Sequence, residues 1–133
     1  MRANHLHLTS LVLSIATLGI GSGCDADPIE PRLSALQERI FTPSCSTISC
    51  HGGPHPANGL DLQDGRAHES LVDVESFTGH GVRVVPGDPE ASLLMRVLEG
   101  PVGDIPSMPN GGTLSSAKID AVYEWIEAGA PAD

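Results

Sequence analysis

Two cysteines and a histidine, Cys45, Cys50 and His51, stand in the arrangement C-x4-C-H. A thiol pair followed at once by an imidazole can do three kinds of chemistry. The thiols can close a disulfide, they can share a zinc ion with the imidazole, or they can add to the two vinyl groups of a haem whose iron the histidine coordinates. The haem-attachment signal is C-x-x-C-H, so this chain carries two extra residues between its thiols. Cysteines at i and i+5 cannot share one helical turn, and the spacer must bulge as a loop, which sulfur-to-vinyl reach permits. Zinc wants four ligands at closed spacings, and only His55 is close enough in sequence to join the other three. A disulfide suits export to an oxidising compartment.

An iron held by His51 in an electron carrier wants a second axial ligand, and a methionine thioether raises the reduction potential. Met108 is the better candidate, because it sits between Pro106 and Pro109 in a glycine-rich loop where no helix needs it for packing. Met95 lies in a helical pattern, where filling the core is the usual role. His80, in Gly79-His80-Gly81, is a reserve ligand, while His55 and His68 read as surface residues. Arg83 could meet a haem propionate through its planar fork, although a surface ion pair is the commoner use. Trp125 reads as core.

The elements that must position these groups are short. A helix is expected over residues 31–41, with Leu33, Leu36 and Ile40 on one face and Thr42-Pro43 ending it. Residues 44–87 lack helical period, and the apolar run Val82–Val85 could pair as a strand. A second helix should start with Asp88 as cap and Pro89 in the first turn, carry Ala91, Leu94, Val97 and Leu98 as its stripe, and stop at Gly100-Pro101. The last should span residues 116–128, capped by Ser115, stapled by Leu114 on Ile119, and closed by Gly129. Its buried stripe is Ile119, Val122 and Ile126, widened by Ala121 and Trp125.

The chain has 133 residues, a net charge of −10 and only 3% aromatic residues. That charge would repel phosphate backbones, so nucleic acid is not an expected partner. With Phe41, Phe77, Tyr123 and Trp125 as its only aromatics, a single domain needs apolar bulk from elsewhere, and a porphyrin would supply it. Residues 1–23 read as a signal peptide: Arg2 precedes an apolar run over residues 8–20, too short to span a bilayer of about 20 residues' depth. The sequence Gly21-Ser22-Gly23-Cys24 then resembles a bacterial lipoprotein signal, with Cys24 lipidated, which also gives the odd third thiol a fate. Residues 24–30 read as an acidic tether and 31–133 as the domain. The expected location is the periplasm or cell surface, on a membrane through the lipid.

FTPSCSTISCHGG, GLDLQ, VVPGDPEASLL, SMPNGG and LSSAKIDAVYEWIEAGAP, in that order, resemble the single-haem c-type cytochrome domains of exported bacterial proteins, notably of planctomycetes and myxobacteria. The resemblance covers about Leu33 to Pro131, and several such domains have longer spacers between their cysteines. It implies an all-α, class I cytochrome c-like fold of three or four short helices with long loops around one covalent haem c. It also implies thioethers at Cys45 and Cys50, His51 as proximal ligand and Met108 as distal ligand. The expected role is an electron carrier for redox partner proteins and not an enzyme, since no nucleophile with an adjacent base and no second haem motif is present. Two alternatives remain open: a haem sensor or weak peroxidase with a displaceable sixth ligand, and a non-haem lipoprotein with a structural Cys45–Cys50 disulfide.

Overall fold

The computed structural model describes residues 28–133. The expected signal segment, the expected lipidation site Cys24 and the start of the expected tether lie outside the described residues. Among the described residues the chain is helical with no strand, and no helix is long and apolar enough to cross a membrane.

The first helix, α1, runs through residues 33–44: α-helical over Leu33–Leu36, a wider π turn over Gln37–Phe41, and α-helical again over Thr42–Ser44. It therefore passes through Pro43, where the sequence predicts a stop. A proline has no N–H to donate and its ring crowds the carbonyl four residues back. The π turn shifts the ladder by one residue, with Thr42 N–H bonding back to the Gln37 carbonyl, and this relieves the conflict. Leu36, Ile40 and Phe41 turn into the core.

Residues 45–66 are loop, with a single 3-10 turn at Ala57–Gly59. A short helix, α2 (Ala67–Leu71), follows. Sequence periodicity misses it because one turn buries only Ala67 and Leu71, too few positions to establish a repeat. His68, expected at the surface, reaches the C-terminal segment instead, its Nε2 2.9 Å from the Ala130 carbonyl. The Val82–Val85 run makes isolated bridges only, Val84 to Val72 and Val82 to Glu75.

Helix α3 spans Leu93–Glu99 and starts four residues later than a cap at Asp88 predicts. Asp88 does cap, but it caps a turn, accepting from Ala91 N–H at 3.0 Å, and Ala91 is exposed. Ser92 takes the N-cap position of α3. Its buried hydroxyl accepts from Val85 N–H (2.9 Å) and donates to the Asp88 carbonyl (2.8 Å), tying the turn to the preceding segment. As predicted, α3 ends at Gly100.

Helix α4 spans Ser116–Glu127 and buries Ala121, Val122, Trp125 and Ile126. Ile119, expected in the buried stripe, is only partly covered. Ser115 caps with its backbone carbonyl, which accepts from Lys118 and Ile119. Helix α4 packs against α1 and α3. Two further bonds close the helical side: Trp125 Nε1–H donates to the Pro131 carbonyl (3.0 Å), and Asp133 accepts from Ser34 N–H and Oγ–H (3.1 and 2.7 Å).

Candidate cofactor site

On the other side of α3, a cavity of about 230 Å³ is walled by α1, the cysteine loop, α3 and the Met108 loop. A smaller void of about 60 Å³ adjoins it. The two share His51, Asn58, Leu60, Leu94, Val97 and Met108, so they form one cleft divided by these side chains. Cys45, Cys50, His51 and Met108 all line it. Those four residues are the ones singled out from the sequence. Most of the remaining wall is aliphatic.

The cysteine spacer forms a closed loop. His51 N–H donates to the Cys45 carbonyl (3.0 Å), while Cys50 and Gly52 N–H both reach the Thr47 carbonyl. Gly52 is required by close approach, since a Cβ there would fall 2.2 Å from the Ser46 carbonyl oxygen. Ile48 projects from the loop, 81% exposed. Both sulfurs are free thiols in different settings. Cys50 is exposed, with Sγ 3.9 Å from Ser49 Oγ. Cys45 is partly buried at the end of α1, and burial pushes its thiol up to about 11.

His51 follows from this loop with its ring on the cavity wall. Its Nδ1 is sealed from solvent without a hydrogen-bond partner. Burial lowers the pKa of His51, which favours the neutral imidazole that coordinates metal. The Ala57 and Leu60 carbonyls oppose that shift, drawing toward the ring without completing a bond at Nδ1. A metal-ligating histidine donates its other ring N–H to a carbonyl or carboxylate, a bond that Nδ1 lacks here although the Ala57 and Leu60 carbonyls are close to the ring.

Met108 is half-buried and its backbone N–H is pinned to the Val97 carbonyl of α3 at 2.7 Å. Met95 is 2% exposed within the core cluster and does not line the cleft. His80 also stays off the wall: its Nδ1 lies 2.9 Å from the Thr78 carbonyl and its Nε2 3.4 Å from Asp104. His55 is exposed, and Trp125 sits in the helical core.

Arg83 departs from the surface role expected of it. It is 5% exposed, lines the smaller void beside His51, and pairs with no carboxylate among the described residues. Main-chain carbonyls hold its guanidinium instead. Gln37 was also missed. From the π turn its Nε2 donates to the Leu62 carbonyl (2.9 Å) and to Thr42 Oγ1 (3.0 Å), joining α1 to the floor of the cleft. Nothing in the local sequence marks Gln37, a glutamine among helix formers.

The chain matches no protein-family model, no curated protein and no solved structure. Among the described residues no three His, Cys, Asp or Glu side chains converge as a metal-ion set. A metal arriving inside a macrocycle needs fewer protein ligands, because the ring supplies the equatorial nitrogens. The residues present fit such a group: two thiols, one imidazole, one thioether and an apolar wall.

Proposed function

We propose that this protein is an exported single-haem c-type cytochrome that passes single electrons between redox partner proteins. One observation carries the reading. Cys45, Cys50, His51 and Met108, chosen from the sequence for their chemistry, line one apolar cleft although Met108 is distant in sequence. When bound, haem supplies a one-electron ferrous–ferric couple. Cys45 and Cys50 would hold it through thioethers, and His51 and Met108 would supply the protein ligands to its iron. The aliphatic side chains of Leu60, Leu94 and Val97 line the site and would lower the polarity around the iron. The uncompensated charge of Arg83 matches an anionic ligand, and haem carries two carboxylates.

The order of elements agrees with a class I cytochrome c arrangement. An N-terminal helix leads to the attachment loop, a middle helix to the methionine loop, and a C-terminal helix packs back on the first. Lipidation of Cys24 would tether the domain to the membrane it is exported across.

The deciding experiment is expression with the haem-attachment machinery, followed by a peroxidase-activity haem stain on a denaturing gel and an intact mass. Wild type should stain and carry the mass of one haem, and Cys50→Ser should lose most covalent retention. A colourless wild-type band with no added mass would end this reading and leave a disulfide-stapled lipoprotein in its place.

A further inference from the structure

Arg83 does more than carry charge. Asn58 (φ +52°) and Gly59 (φ +63°) both adopt left-handed backbone, a conformation that suits an Asn-Gly pair. The Asn58 carbonyl accepts from Arg83 Nη2 at 2.9 Å, and the Gly59 carbonyl accepts from Nη1 at 3.3 Å. Nη1 also donates to the Ser70 carbonyl at 2.7 Å, anchoring the guanidinium to the end of α2. Phe77 covers the cluster, its ring centroid 5.4 Å from the guanidinium carbon. A Cβ at Gly59 would strike that ring at 2.4 Å.

Both ends of the clamped turn are stitched to the attachment motif. Ala57 N–H donates to the Cys50 carbonyl and Leu62 N–H to the His51 carbonyl, each at 2.8 Å. Asn58 and Leu60 line the cleft beside His51. The geometry points to Arg83 as a positioning residue for His51: the guanidinium fixes the turn at residues 57–60, and that turn fixes where the imidazole points. A lysine keeps the charge but, as a point donor without the planar fork, does not hold three carbonyls in this geometry. The orphaned Nδ1 of His51 and the Ala57 and Leu60 carbonyls are the groups such a turn would bring into line. The consequence for the potential rests on the cytochrome reading, whereas the clamp itself does not.

Two variants test it, Arg83→Lys, which keeps the charge, and Gly59→Ala, which disturbs the turn and leaves Arg83 intact. Amide hydrogen exchange in the full chain should quicken roughly tenfold at Ala57 and Leu62 in both, with Ile126 in α4 unchanged. In haem-loaded protein both variants should raise the reduction potential, because a loosened turn would no longer bring the Ala57 and Leu60 carbonyls to His51 Nδ1, leaving the imidazole a weaker donor to iron. Both variants keep the positive charge, so a shifted potential reports the turn and not a lost charge. Wild-type exchange at Ala57 and Leu62 in Arg83→Lys would overturn the clamp, as would uniform quickening across the chain. Faster exchange with an unmoved potential would overturn the link to His51. If one variant fails to fold, the other decides. A wild type that never takes up haem refutes the cytochrome reading, and exchange at Ala57 and Leu62 still judges the clamp.

Discussion

The two sides of this molecule are held together differently. On the helical side, α1, α3 and α4 bury Leu36, Ile40, Met95, Val122, Trp125 and Ile126 against one another. On the cleft side, residues 45–63 form almost no regular structure. Their backbone is fastened from outside by side chains: Gln37 on Leu62, Arg83 on Asn58 and Gly59, and Ser70 Oγ on Asp61 N–H. The difference teaches where stability and function separate. Apolar packing supplies the first, while buried polar clamps hold open a wall that packing alone would collapse.

The contrast can be broken at several points. Trp125→Ala removes the largest fully buried side chain and should cost about 3–5 kcal/mol in chemical denaturation, with no direct contact to the cleft. The two methionines should then split the sides cleanly. Met95→Ala should cost about 2–5 kcal/mol and leave the spectrum of loaded protein unchanged. Met108→Ala should cost less stability, lower the reduction potential and admit carbon monoxide or cyanide to the iron. Rapid binding of those ligands by wild type would instead favour a sensor or peroxidase with a displaceable sixth position.

A smaller effect belongs to pH. The Cys45 thiol titrates at about 11 in the folded chain against 9.0 for a free thiol. A group whose folded pKa is raised contributes stability that is complete below the unfolded value. Unloaded protein should therefore lose stability between pH 9.0 and about 11, by up to roughly 2 kcal/mol. Haem-loaded protein, with the sulfur in a thioether, should show no such loss. Thermal melts across that range compare the two. The smallest effect lies at the exposed terminus, where hydrogen bonds from Ser34 hold the Asp133 carboxyl below its usual 3.8. That depression stabilises the fold above pH 3.8 and is lost as pH falls through the folded value. Ser34→Ala should flatten this acid limb of the stability curve.

Much of this was legible in the sequence, and the boundary has a physical reason. Helix α4 could be read because its apolar repeat, its Ser115 start and its Gly129 stop are all local. The Cys45, Cys50 and His51 group could be singled out because its chemistry depends on adjacency, and Met108 because two prolines leave a methionine little else to do. The start of α3 lies four residues beyond the one the sequence predicts, since Asp88 and Pro89 cap a turn as well as they cap a helix. The passage of α1 through Pro43 was hidden because a π turn leaves no compositional mark.

What the sequence determined by itself was therefore the helical class, the reactive groups and the helix ends set by nearest neighbours. The tertiary structure alone decided that Met108 and His51 share a wall, that Met95 and His80 do not, and that Arg83 is buried. Those outcomes depend on contacts between residues far apart along the chain, and a buried cation is tolerable only where the fold happens to bring carbonyls around it.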